Sequence, residues 1–295
     1  MPFDNLIDGR AIADTLNAET SQQVEALKRR GIDSCLIFVR VGEDPASQVY
    51  VSMKERMSKR LGIRSETKVL PEKTSETELL ALIKALNEDR SVHGILVQAP
   101  IPRQIDSTKI YSAVLPQKDV DGFHPVNMGK LLLGDTSGFV ACTPAGVHEL
   151  LIRSGVSVEG ANVAVLGRGN IVGKPMAALL MQKARHANAT VTICHSNTRN
   201  IAEHCRRADI IVAAMGVARF LKAEMVRPGS VVVDVGVNRI SDPGSKTGSK
   251  LVGDVDFEAV RAVAGKITPN PGGVGPMTIA MLMRNTVRAA EMQSK

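Results

Sequence analysis

Asn162-Val163-Ala164-Val165-Leu166-Gly167-Arg168-Gly169-Asn170-Ile171-Val172-Gly173 is the stretch whose reading decides the fold of this chain. Its first five residues read as a short apolar strand, and a helix is expected over 173–185. Between them, glycines stand at relative positions 1, 3 and 7, one residue longer than the usual G-x-G-x-x-G spacing. The physics is unchanged: a tight turn, a bare backbone, and helix N-terminal amides aimed at an anion. An ordinary strand-to-helix turn has the same composition, so the surroundings must decide. Further strands are expected at 190–194, 209–214 and 230–235, with a helix at 198–207. That alternation is the plan of a dinucleotide-binding fold.

Upstream, residues 9–30, 45–61 and 75–89 read as helices, and 35–41, 63–70 and 93–98 as strands. Such alternation implies parallel strands joined by crossover helices. Residues 116–146 read as turn-rich, and 241–250 as a polar, mobile hairpin tip. A final amphipathic helix at 276–291 is expected to pack back onto the first domain. The expected fold is therefore α/β with two domains. Residues 1–140 plus 275–295 form an N-terminal α/β catalytic domain, and 141–274 a Rossmann-like, doubly wound nucleotide-binding domain.

The 295 residues are 44% hydrophobic with no Trp, so aliphatic side chains must build the core. No apolar run reaches membrane-spanning length, and the first residues lack the layout of a secretory signal. The formal net charge is +7. No basic tract is long enough to argue for nucleic acid, whereas a basic balance suits a small anionic substrate. The four cysteines form no C-x-x-C pair, which points to free thiols in the cytoplasm. The six histidines include no H-x-x-x-H pair, so no metal site is expected.

Tyr50 and Lys54 stand four apart in the second expected helix and share a face. A flat ligand stacked on the tyrosine would bring its reacting carbon to the amine; a surface Tyr/Lys pair has the same spacing. Gln98 ends the strand HGILVQ, where open α/β sheets place their sites. Asp121 can accept hydrogen bonds from an amino-substituted heterocycle, or simply form a turn. Thr268-Pro269-Asn270-Pro271-Gly272-Gly273-Val274-Gly275-Pro276-Met277-Thr278 is a rigid, bare loop that runs into the last helix, and Pro276 suits a first helical position. The strand at 190–194 is followed by His195-Ser196-Asn197-Thr198-Arg199 without a carboxylate for the ribose of NAD. Arg168 and Ser196 can hold a 2′-phosphate instead, which favours NADP; an exposed loop arginine and a helix-capping serine are the plainer readings.

Several stretches together resemble one family. They are VGEDPASQVYVSMK (41–54), GILVQAPIP (94–102), KDVDGFHPVN (118–127), CTPAGVHELL (142–151), GRGNIVGKP (167–175), ATVTICHSNT (189–198), VVDVGVNRI (232–240), GDVDF (253–257) and ITPNPGGVGPMTIAMLMRNT (267–286). This set is similar to the bifunctional methylenetetrahydrofolate dehydrogenase/methenyltetrahydrofolate cyclohydrolase family. The resemblance implies tetrahydrofolate derivatives as substrates, NADP as cofactor, and a homodimer. It implies that Tyr50 stacks on the folate, Lys54 is the acid/base, Gln98 tunes that lysine, and Asp121 grips the pterin. It also places Ser47, Pro271, Gly272 and Gly273 beside the folate, and Gly167, Arg168, Gly169, Ser196 and Val237 at the cofactor. Gly169 departs from the family, where serine is common, and Ala99 stands where leucine is usual. A hydroxy-acid dehydrogenase of similar plan would leave Tyr50, Gln98 and the Gly/Pro loop unexplained.

Overall fold

The computed structural model describes residues 5–242, 244 and 248–294. The chain divides into two compact units, Asp14–Cys142 with Ile279–Lys295, and Met1–Ala13 with Thr143–Thr278. Each has its own parallel sheet, of three and five strands respectively. They are called here the small-sheet and large-sheet units.

The first part of the chain runs α1 (Gly9–Arg29), β1 (Cys35–Val41), α2 (Pro45–Arg60), β2 (Arg64–Leu70), α3 (Glu76–Glu88), β3 (Gly94–Val97), α4 (Ser107–Ala113) and α5 (Pro125–Leu133). The small sheet has the order β2-β1-β3, all parallel. The apolar run of β1, broken only by Arg40, suits its central place, where both faces are covered. β2, at the edge, is polar and half exposed. Asp44 caps α2 by accepting from the Ser47 amide, with Pro45 in the first turn. Helix α5 lies inside the stretch expected to be turn-rich. Its signals are local: His124 Nδ1 accepts from the Val126 amide, Pro125 opens the helix, and Gly134 closes it at φ 75°. The C-terminal residues of this unit are tied in by Asn285, which donates to the Val120 carbonyl at 2.9 Å, and by Arg288, which donates to the Gly138 carbonyl at 2.8 Å.

The chain continues through α6 (Cys142–Arg153), β4 (Asn162–Leu166), α7 (Gly173–Leu180), β5 (Thr190–Cys194), α8 (Ile201–Arg207), β6 (Ile210–Ala213), β7 (Val231–Asp234), β8 (Asn238–Ser241), β9 (Ser249–Val252), α9 (Phe257–Arg261), β10 (Lys266–Ile267) and α10 (Val274–Gln293). The large sheet has the order β10-β7-β6-β4-β5, all parallel. The chain steps from β4 to β5 on one side and then to β6 on the other. The strand order therefore reverses at β4, the place where such sheets open a crevice beyond their carboxyl ends.

Four boundaries differ from the sequence reading. The first residues fall with the large-sheet unit, because Leu6 bridges Ile267 in parallel and Ile7 N–H donates to the Ile267 carbonyl at 2.8 Å. Helix α7 stops at Leu180, since His186 and Asn188 take positive φ and Ala189 N–H donates back to Leu180, returning the chain to β5. Helix α8 starts at Ile201, after Asn200 in the left-handed region. Helix α10 starts at Val274, so Pro276 is third in the helix; proline is tolerated there because first-turn amides lack intrahelical partners. β8 and β9 pair antiparallel, and residues 243 and 245–247 of the expected hairpin tip lie outside the described residues.

Cys35, Cys142, Cys194 and Cys205 are all free and buried. Among the described residues, no helix is long and apolar enough to cross a membrane. Nor does any group of three or more His, Cys, Asp and Glu stand where it could hold a metal ion.

Candidate active site

Lys54 lies on the buried face of α2, 9% exposed. Its Nζ donates to Gln98 Oε1 at 2.9 Å. The Gln98 amide is oriented in turn, because its Nε2 donates to the Ala99 carbonyl at 2.7 Å. Ser47 Oγ donates to the same carbonyl at 3.1 Å. The first turn of α2 and the carboxyl end of β3 are thus joined through Ala99, and the ammonium is the projecting end of that chain of bonds. Tyr50 is half-buried one turn before Lys54. The sequence reading grouped Ser47, Tyr50, Lys54 and Gln98; the first, third and fourth share one hydrogen-bonded network.

Asp119 and Asp121 are two residues apart and have different tasks. The Asp119 carboxylate is buried and accepts from the amides of Gly122, Phe123 and His124 and from Asn127 Nδ2, at 2.8–3.2 Å. The turn-forming role weighed for Asp121 therefore belongs to Asp119. Asp121 is left half-buried with no such set of amides. Desolvation pushes its carboxyl above the ordinary range, and the Lys54 ammonium pulls it back. Beneath it, Cys142 N–H donates to the Asp121 carbonyl at 3.2 Å and Cys142 Sγ to the Val120 carbonyl at 3.3 Å. Asn285 Nδ2 donates to the carbonyls of Val120 and Val140. Asn285 and Cys142 were not foreseen as site supports; the only sequence signal was their place inside quoted motifs. Lys118, in the same motif, is spent on structure: its Nζ donates to the carbonyls of Leu86, Asn87 and Asp89 at the end of α3.

The remaining candidates stand on the large-sheet unit. Gly167 follows β4 at φ 118°, and a Cβ there would lie 2.1 Å from the Ala214 carbonyl oxygen. A Cβ on Gly173 would lie 2.2 Å from the Gly167 carbonyl oxygen. Gly169 has open space around it, so no steric demand explains that glycine. The first turn of α7 carries no side-chain cap. Leu166 pairs with Cys194, and Gly167 N–H donates to the Cys194 carbonyl at 2.7 Å. Arg168 and Ser196 therefore leave the ends of adjacent strands, both exposed. Ser196 is not a helix cap: Thr198 Oγ1 closes that turn by accepting from His195 N–H at 2.9 Å. These features fit a dinucleotide with a 2′-phosphate: a bare cradle, and a guanidinium and a hydroxyl following adjacent strands where a ribose-binding carboxylate is absent.

Val237 is 58% exposed in the segment between β7 and β8. Pro271, Gly272 and Gly273 precede α10. Gly273 is enclosed by the Pro269 carbonyl and the Thr268 side chain, and a Cβ on Gly9 would lie 1.9 Å from the Gly273 carbonyl oxygen. The loop is therefore fixed by the start of α1.

The family described as "Tetrahydrofolate dehydrogenase/cyclohydrolase, NAD(P)-binding domain" matches residues 141–294, and its "catalytic domain" counterpart matches residues 7–121. The "Bifunctional protein FolD" of Prosthecochloris aestuarii is 52% identical over 286 residues, covering 96% of this chain and 97% of its own. The crystal structure of the bifunctional FolD dehydrogenase/cyclohydrolase of Campylobacter jejuni superposes with a TM-score of 0.92 at 47% identity, covering 97% of this chain and 98% of that one. The Trypanosoma brucei FolD structure, complexed with NADP cofactor and inhibitor, gives 0.94 at 39% identity over 100% of both chains.

Proposed function

The chain belongs to the tetrahydrofolate dehydrogenase/cyclohydrolase family, and from that membership and the geometry above we infer that its small-sheet unit holds the folate and its large-sheet unit holds NADP. The enzyme is bifunctional. It oxidises 5,10-methylenetetrahydrofolate to 5,10-methenyltetrahydrofolate and then hydrolyses that cation to 10-formyltetrahydrofolate.

In the first step a hydride leaves the methylene carbon with its electron pair, and bound NADP⁺ supplies the acceptor. No proton moves at the reacting carbon, so the protein's task is orientation. Tyr50 offers a ring for the folate to stack on, and Asp121 accepts from the amino-substituted pterin. In the second step water adds to the methenyl carbon. Lys54 Nζ acts as the neutral amine: it takes one proton from that water and passes it to N5 as the C–N5 bond breaks, and the second proton of the water leaves to solvent as the formyl carbonyl forms. Gln98 Oε1 holds the amine in place. Ser47, Pro271, Gly272 and Gly273 border the folate. Gly167, Arg168, Gly169, Ser196 and Val237 hold the dinucleotide, with Arg168 and Ser196 on the 2′-phosphate.

The observation that carries this reading is the bond from Lys54 Nζ to Gln98 Oε1. It supports an oriented amine at the carboxyl end of a small parallel sheet, one helical turn from a tyrosine. The same reading extends to a homodimer in the cytoplasm, a compartment that four unpaired thiols suit. Light scattering tests the dimer. The activity is tested by the absorbance of methenyltetrahydrofolate, with methylenetetrahydrofolate and either NADP⁺ or NAD⁺. Faster turnover with NADP⁺ is expected, and equal use of both cofactors counts against the assignment of Arg168 and Ser196.

A further inference from the structure

Beyond the large sheet's carboxyl edge lies a pair of buried aspartates that the reaction as described does not use. Asp234 and Asp254 are 2% and 1% exposed. Asp254 Oδ2 accepts from the amides of Met215 (2.6 Å) and Gly216 (2.8 Å), which follow β6. Its Oδ1 accepts from Asn238 Nδ2 at 2.8 Å. Asp234 Oδ1 accepts from the amides of Gly236 (3.0 Å) and Asp254 (2.9 Å), and its Oδ2 from Val255 N–H at 3.3 Å. Asn270 Nδ2 donates to the Gly236 carbonyl at 2.6 Å, and Asp234 N–H donates to Thr268 Oγ1 at 2.8 Å. Two glycines exist to let this happen. A Cβ on Gly236 would lie 2.2 Å from Asp254 Oδ1, and one on Gly253 would lie 1.6 Å from Asp234 Oδ2.

Among the described residues neither carboxylate forms an ion pair. Their charge is met by backbone amides and one side-chain amide. A core built for stability alone has little use for two adjacent carboxylates without a cation. The two carboxylates join the segments that follow β6, β7 and β9 at the sheet's carboxyl edge, and the Asp234 N–H ties β7 to the segment after β10. The segment after β7 is held on both sides of one residue. Gly236 is fixed by Asp234 and Asn270, Asn238 by Asp254, and between them Val237 stands exposed.

We propose that Asp254 is a positioning residue for the dinucleotide, holding the 215–216 and 236–238 segments in the relation that presents Val237 to it. This rests on the assignment of the large-sheet unit to NADP. An aspartate is required because both ends of its side chain must accept. An asparagine at 254 would set its own N–H₂ against either the two amides or Asn238 Nδ2, a donor facing a donor. The arrangement can be repaired by exchange. With Asp254→Asn and Asn238→Asp together, the new amide oxygen accepts from Met215 and Gly216 and its N–H₂ donates to the new carboxylate.

The test measures the KM for NADP⁺, the dehydrogenase kcat, and cyclohydrolase turnover of added methenyltetrahydrofolate, which needs no dinucleotide. Asp254→Asn is expected to raise the KM for NADP⁺ about tenfold while cyclohydrolase turnover stays within about twofold. The double exchange is expected to return the KM to within about threefold of the starting protein. Asn238→Ala, which removes one donor and keeps both carboxylates, gives a smaller rise and serves if Asp254→Asn does not fold. A lowered thermal midpoint with unchanged KM in Asp254→Asn or Asn238→Ala would overturn the proposal, as would a double exchange no better than the single change. Calorimetry of NADP⁺ on the unaltered protein separates the two failures: no binding there would sink the cofactor assignment itself.

Discussion

Replacing Lys54 by Met keeps the stem and its packing but removes the amine. Two effects follow from the contacts. The first is local: Gln98 Oε1 loses the donor it holds at 2.9 Å. A hydrogen bond involving a charged group contributes about 1.5–3 kcal/mol, so the melting point should fall, although the apolar replacement recovers part of that through packing. The Lys54 ammonium also holds the Asp121 carboxyl down against desolvation, so Asp121 should move further above the ordinary carboxylate range. The second effect is on chemistry. A positioned proton-transfer group contributes about 10²–10⁴-fold, or about 3–5.5 kcal/mol of barrier. Cyclohydrolase activity, followed as loss of methenyltetrahydrofolate absorbance, should fall by that factor. The hydride step moves no proton at carbon and should retain measurable activity. A folded Lys54→Met protein with normal cyclohydrolase turnover would refute the reasoning. Loss of both activities together with folate binding would instead make Lys54 a binding residue.

Four further expectations can be checked independently. Arg168→Ala should raise the KM for NADP⁺ by about one to two decades and leave NAD⁺ use nearly unchanged, since a guanidinium–phosphate bond contributes about 1.5–3 kcal/mol; steady-state kinetics with both cofactors decide it. Gly169→Ser meets open space and no positive φ, so its stability should stay within about 0.5 kcal/mol while the added hydroxyl lowers or maintains the KM for NADP⁺; a loss of stability in urea titration would contradict the geometry. Asp121→Asn should impair both folate reactions while calorimetry still detects NADP⁺, and a fully active variant would remove Asp121 from the site. Burial lifts the Asp234 carboxyl from 3.8 to about 6. The folded state then binds the proton more tightly than the unfolded chain, so this group's contribution to stability falls as pH rises from about 4 to 6 and stays at its lowest above that. The span is about 3 kcal/mol. Urea unfolding at pH 5 and 7.5 should show this slope in the unaltered protein and a reduced one in Asp234→Asn.

The sequence was most legible where one element answers to one local pattern. CLIFVRV is apolar but for Arg40 because β1 is central, and the helix after Asp44-Pro45 begins where capping chemistry says it must. The glycine loop was legible because two of its glycines are enforced by backbone contacts. Less was legible where a residue's task depends on distant partners. Asp119 and Asp121 look alike in KDVDGF, and only the fold gives one of them four donors and leaves the other beside Lys54. The early end of α7 was hidden for a similar reason: its helix-forming residues continue, but the chain must return to the edge of the sheet. Helix α5 was missed although Pro125 and Gly134 mark both of its ends. The Asp234–Asp254 pair signalled only through its place inside the stretches VVDVGVNRI and GDVDF, since turn aspartates are common in any loop-rich segment.

The four cysteines have a use that is neither catalytic nor structural. All are at most 1% exposed, and burial raises each thiol above its ordinary range, so an alkylating reagent finds almost no reactive sulfur in the closed protein. Cys35 and Cys142 lie in the small-sheet unit, Cys194 and Cys205 in the large-sheet unit. Labelling in dilute denaturant, read by peptide mass, therefore acts as a pair of internal clocks, one timing the opening of each half of the molecule.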